Sequence, residues 1–231
     1  GWSTHKAAKV YLDLKPGKNQ LLFRSQKKGG VNLDYFDLKP TTISTPSAHQ
    51  EVSPKERERG MRIASGDLSA AKNQRERFYA LGEAANNAMR EGKIKRAQSL
   101  AEELLELASE YKDDWNYGNA IAKSNQVLGR IALSKENILE AKKHLLASAE
   151  IQGSPQLNSF GPDFILAREL AIKGEFKTVL TFLDLIGRFW ANPADRKEAN
   201  SKNVANHNLK LLESWKKQLG NGQVPDHPKW R

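Results

Sequence analysis

The sequence predicts a mainly α-helical chain: an α-solenoid of stacked helical hairpins behind a short antiparallel β segment. Three observations carry this reading. First, residues 119–155 read as two amphipathic helices back to back. Ile121, Val127, Leu128 and Ile131 recur at helical spacing in one, and Ile138, Ala141, Leu145, Leu146 and Ala149 in the other. Second, the small-residue contact at Leu128-Gly129 has a partner twelve residues on at Ala141, and the same offset links Ala85 to Ala97 and Ala167 to Val179. Gly92 and Gly174 mark the turn in two copies, and Glu136 takes that place in the middle one. Third, residues 1–38 switch to a two-residue alternation. A single amphipathic hairpin cannot bury its own apolar face, so the pairs must stack.

In chain order, KVYLDL (9–14), NQLLFRS (19–25) and VNLDYFDL (31–38) predict three strands separated by turns at 15–18 and 26–30. Three strands in fewer than 40 residues leave open edges and little core, so this piece reads as half of a β-sandwich. Residues 39–53 are rich in Thr, Ser and Pro without periodicity and predict a linker. PKERERGMR (54–62) predicts a solvated helix start, and residues 65–67 a break; together, 39–72 form a linker and short helical lead-in. Asn73 caps the first long helix, which runs to about Arg90 with Phe78, Leu81, Ala85 and Met89 inward. Its partner spans 93–111, followed by the loop KDDWNY (112–117). Adjacent Asp113 and Asp114 suggest acid–base chemistry, but a loop offers no burial to split their pKa values. The second hairpin stops at residues 153–155, and 156–162 reads as a loop. Helices over 163–173 and 175–190 follow, the latter burying Val179, Phe182, Leu183 and Ile186. Residues 201–219 make a capping helix with Val204, Leu209, Leu212 and Trp215 inward, so the repeats span 73–219. Residues 220–231 predict a poorly held tail.

The small residue, mid-repeat turn, Ala and closing Pro resemble the tetratricopeptide repeat in three imperfect copies. Anchors at 97, 141 and 179 are 44 and 38 residues apart, longer than that family's repeat of about 34. The family binds peptides in a concave groove lined by the first helix of each hairpin. Its groove positions fall here on Tyr79, Asn86 and Arg90, then Lys123, Gln126 and Arg130, then Phe164 and Arg168. Each copy offers a cation and none an acid, which implies an acidic peptide or a C-terminal carboxylate as ligand. A chain of net charge +10 also carries cations on most faces. Residues 1–38, with GWST at the start, LKPGKN at the first turn and GGVNLDY near the end, are similar to the C-terminal half of a family 6 carbohydrate-binding module. That resemblance implies a glycan-binding β-sandwich in which Trp2 is a platform for a sugar ring and Asn32 hydrogen-bonds to its hydroxyls. A Trp face matches the apolar face of a pyranose, and an amide both donates and accepts. The second Trp common in the family is His5 here, and the half that completes the cleft is not in the sequence.

Composition bounds the function. No apolar run approaches the roughly 20 residues of a membrane-spanning helix. Without Cys there is no disulfide framework, thiolate zinc site or cysteine nucleophile. The five His form no metal spacing, and no phosphate loop or G-x-S-x-G element appears, so no catalytic residue, metal or cofactor is expected. Three readings stay open. The first is a non-catalytic, extracytoplasmic protein joining a glycan-binding module to a peptide-binding scaffold. The second is an intracellular scaffold for acidic peptides with a β remnant. The third is a basic nucleic-acid binder, against which the dispersed charge and the lack of a reading motif both argue.

Overall fold

In a computed structural model, the described residues are 53–192 and 199–230. The expected β segment, Trp2, Asn32 and the linker up to residue 52 lie outside them. Within them the chain is helix and turn, with no strand. The helices are α1 (Pro54–Ala64), α2 (Gln74–Arg90), α3 (Ile94–Ala108), α4 (Tyr117–Ser134), α5 (Ile138–Ala147), α6 (Pro155–Phe160), α7 (Ile165–Ile172), α8 (Phe176–Trp190) and α9 (Ala199–Gly220). Short 3₁₀ turns occur at Leu68–Ala70 and Pro228–Trp230.

Local chemistry starts and stops these helices. At α1, the Ser53 hydroxyl accepts from the Glu56 N–H while the Glu56 carboxylate accepts from the Ser53 N–H, and Pro54 sits where no N–H is needed. Asn73, Asn137 and Ser154 cap α2, α5 and α6 with the acceptor half of this arrangement, each side chain taking the N–H three residues on. The three hairpin turns close with one hydrogen-bond pattern. The N–H of Lys93, Asn137 and Glu175 reaches the carbonyl of Ala88, Ala132 and Leu170, at 2.9, 3.0 and 3.0 Å. This needs a left-handed residue at each turn. Gly92 (φ +71°), Glu136 (φ +59°) and Gly174 (φ +84°) supply it.

Consecutive helices pack in pairs, α2 with α3, α4 with α5 and α7 with α8. The first helices also touch, α2 with α4 and α4 with α7, and α9 packs on α8. The twelve-residue offset marks buried positions, and in the central hairpin a direct approach. Ala97, Ala141 and Val179 are fully buried, and a Cβ on Gly129 would lie 2.3 Å from Leu166 Cδ2 and 3.5 Å from the Ala141 carbonyl. Two large apolar clusters result, one around α2 and α3, the other around α5, α7, α8 and α9, and a small third joins Ile63, Ala70 and Ala80. Helix α4 feeds both: Val127, Leu128 and Ile131 face the first, Ala122, Ala132 and Leu133 the second.

Several expectations need correction. The second helix of the central hairpin ends at Ala147, because Ser148 turns its hydroxyl onto the Leu145 carbonyl and the chain tightens there. Residues 155–160 form a short helix where a loop was expected. On α9, Val204 and Leu209 point outward at 52% and 39% exposure. The buried stripe is Ala205, Asn208, Leu212, Trp215 and Leu219, with the Asn208 amide satisfied by the Trp190 carbonyl at 3.1 Å. The C-terminal segment is not loosely held, because Trp230 is fully buried. No helix among the described residues is long and apolar enough to cross a membrane.

Candidate functional site

The eight groove residues expected from the sequence divide into two groups. Tyr79, Asn86, Arg90, Lys123, Arg130 and Arg168 lie partly or fully exposed on the first helices α2, α4 and α7. Gln126 and Phe164 do not line a groove. Gln126 is 6% exposed and donates to the Ser148 hydroxyl at 3.1 Å. Phe164 caps α7 at 1% exposure, packed edge-on against Phe182 and Trp215.

The exposed row contains acids that the family positions do not reveal. Glu83 on α2 accepts from Lys123 on α4 at 3.0 Å and from Arg90, two turns along its own helix, at 2.9 Å. Arg130 on α4 meets Glu169 on α7 at 3.1 Å through two of its nitrogens. Arg75 binds Asp114 at 2.7 Å, and Tyr79 donates its hydroxyl to the same carboxylate at 2.9 Å. Each first helix is therefore bound to the next by a charged bridge. Five cations (Arg75, Arg90, Lys123, Arg130, Arg168) face three acids (Asp114, Glu83, Glu169), which leaves two positive charges uncompensated. Among the described residues, the Arg168 side chain has no partner.

Electrostatics keep two of these acids, Asp114 and Glu83, ionised. Burial raises the Asp114 carboxyl, whose side chain is only 3% exposed, yet the Asn116 N–H, Arg75 and Tyr79 together hold it below its ordinary value. The loop does bury one Asp of the adjacent pair, contrary to the expectation. It does so as a paired carboxylate, while Asp113 stays exposed. Glu83 is also lowered, burial being outweighed by Lys123 and Arg90. Burial and the Asp114 charge push the Tyr79 phenol up, which keeps it a donor.

Beside this network lies a half-open cavity of about 20 Å³ lined by Phe78, Tyr79, Gly82, Leu104, Asn116, Asn119, Ala120 and Lys123. It is large enough for one water-sized polar group. Trp115, half exposed, stands 5.5 Å from the ring of Tyr79, one of the lining residues. Glu83 was readable from spacing alone, four residues after Tyr79 and seven before Arg90 on one helix face. Asp114 and Trp115 were not, since only the tertiary fold brings the 112–117 loop onto α2. Among the described residues no cluster of three or more His, Cys, Asp or Glu could hold a metal. No protein-family model matches the chain, and no curated protein or solved structure matches it either.

Proposed function

We propose that residues 73–219 are a tetratricopeptide-like solenoid that binds an acidic peptide segment, in a non-catalytic protein. The observation that carries the reading is the charged row across α2, α4 and α7, with two positive charges in excess. The three identical hairpin turns and the contacts between successive first helices support the repeat reading. An acidic side chain would compete with Glu83 for Lys123 and Arg90, and pair with Arg168 outright. Such exchange of partners favours specificity and salt-sensitive on-rates more than raw affinity. The neighbouring cavity opens on the same row, where a peptide carbonyl would accept from Lys123.

The test is titration of a labelled hexaglutamate peptide into the full chain, with a hexalysine peptide as control. Hexaglutamate should bind, and Lys123→Ala with Arg130→Ala should weaken it about tenfold, about 1.4 kcal/mol. Tighter binding of hexalysine would sink the reading. The N-terminal segment is proposed to contribute a glycan site through Trp2 and Asn32 once its β-sandwich is complete. An affinity gel run on an N-terminally extended chain, with and without Trp2→Ala, checks this; retention lost with Trp2→Ala is the expected result.

A further inference from the structure

Phe164 was expected to line the groove and is instead buried, and its cover is the chain's own C-terminal segment. After α9 the chain turns at Gly222 (φ +72°) and runs back to the start of α7. Trp230 stacks on Phe164 with ring centroids 5.5 Å apart and meets Trp215 edge-on at 5.7 Å. Lys229 donates to the Phe160 carbonyl at 2.8 Å and lies 5.3 Å from the Trp190 ring. Along the segment two side chains are buried, Pro225 and Trp230, while Asp226, Pro228 and Lys229 are exposed. Phe164 stands three residues before the small-residue anchor Ala167, as Gly82 does before Ala85 and Gln126 before Gly129. The tail thus sits on the position that, in the first hairpin, borders the open cavity.

We propose that residues 223–230 are a peptide ligand held in cis, with Trp230 as anchor in an aromatic cleft formed by Phe164 and Trp215. The cleft's occupant in the resting chain is this segment, and the cleft accepts the same segment in trans when the tail is removed. Among the described residues the Trp230 indole N–H has no acceptor, so apolar stacking holds the anchor. A short tether keeps the tail at an effective concentration on the order of millimolar, so the intact chain should exclude a competing copy. This site is separate from the charged row, and its test does not depend on an acidic ligand.

A labelled peptide of residues 223–231 (QVPDHPKWR) is titrated into the intact chain and into a chain ending at Gly222, with helicity followed by circular dichroism. Saturable binding to the shortened chain, about tenfold or more weaker to the intact chain, is expected. The peptide carrying Trp230→Ala should lose about tenfold or more on the shortened chain. A shortened chain that is unfolded but regains helicity on adding the peptide supports the same conclusion. A shortened chain that keeps its helicity without binding the peptide overturns it, and so does one that stays unfolded with the peptide present.

Discussion

Around α2 and α3 the buried side chains are Ala and Leu with one aromatic ring, Phe78. Around α7, α8 and α9 they include six aromatics: Phe164, Phe182, Phe189, Trp190, Trp215 and Trp230. In the first region small side chains let helix backbones approach, and charged bridges such as Arg77 to Glu103 and Arg59 to Glu76 tie the surfaces. In the second, large rings fill the space that longer loops and the short helix α7 leave. The two regions should answer differently to lost volume and to added volume. Trp215→Ala removes a ring that touches Phe164, Trp190 and Trp230, and should cost about 3–5 kcal/mol in urea unfolding. Leu104→Ala in the first cluster should cost less, about 2–3 kcal/mol, because small neighbours can close in. A larger loss at Leu104 would erase the distinction.

Added volume probes the joint between the regions. Gly129→Ala puts a Cβ against Leu166 at 2.3 Å and His144 Cβ at 3.0 Å, and Leu166 is fully buried with nowhere to move. The cost should be about 1–3 kcal/mol despite the better helix propensity of Ala. Gly82→Ala in α2 meets the Lys123 stem at 2.9 Å, which is flexible and half exposed, and touches Leu104 Cδ2 at 3.4 Å, close to ordinary contact. There the helix gain of up to about 1 kcal/mol offsets the displacement, so thermal melts should show little change or a small rise. Equal losses at both glycines would show that the first region is packed as tightly as the second.

Acid separates the regions again. The folded pKa of Asp114 is depressed, so its contribution is present above the unfolded value of about 3.9 and fades as pH falls through the folded value. Asp114→Asn should therefore lower stability by about 1–2 kcal/mol at pH 7, and the gap to the native chain should close below about pH 4. Among the described residues the aromatic region holds no such carboxylate in its core, so Trp215→Ala should keep its gap over the same range in melts from pH 7 to 3. A gap for Asp114→Asn that persists at pH 3 would mean the side chain matters for shape and not for charge.

How much of this was legible follows from which interactions are local. The hairpin turns, the Asn73 cap and the twelve-residue anchors depend on neighbours along one or two helices, and the pattern of small residues exposes them. The stripe on α9 was misread because Val204 and Leu209 are apolar but exposed, while Asn208 is polar and buried on the Trp190 carbonyl. In the candidate site, cations at repeat positions could be placed by offset. Their acids could not be placed that way, since Glu169 meets Arg130 from the next pair and Asp114 reaches α2 from a loop. The burial of Trp230 depends on a return of the chain that no periodicity encodes.

The smallest effect tests the turn that the sequence identified without a glycine. Glu136 adopts φ +59° and its turn closes with the same pair of backbone bonds as those at Gly92 and Gly174: its own N–H reaches the Leu133 carbonyl, and the Asn137 N–H reaches Ala132. An L-residue in this conformation costs about 1–2 kcal/mol, while glycine loses about 0.5–1 kcal/mol more chain entropy on folding. The Glu136 side chain is exposed and, among the described residues, without a partner, so its removal forfeits no contact. Glu136→Gly should therefore stabilise the chain by about 0.5–1 kcal/mol. Gly92→Ala and Gly174→Ala should each destabilise by a similar amount, although a Cβ at either position meets nothing within 4 Å. The three variants isolate backbone conformation from packing, and the central hairpin joins the two regions. A loss of stability on Glu136→Gly would mean that the middle turn is held by its flanking helices on α4 and α5 and not by its own geometry, and the three hairpins would then be alike in shape but not in cause.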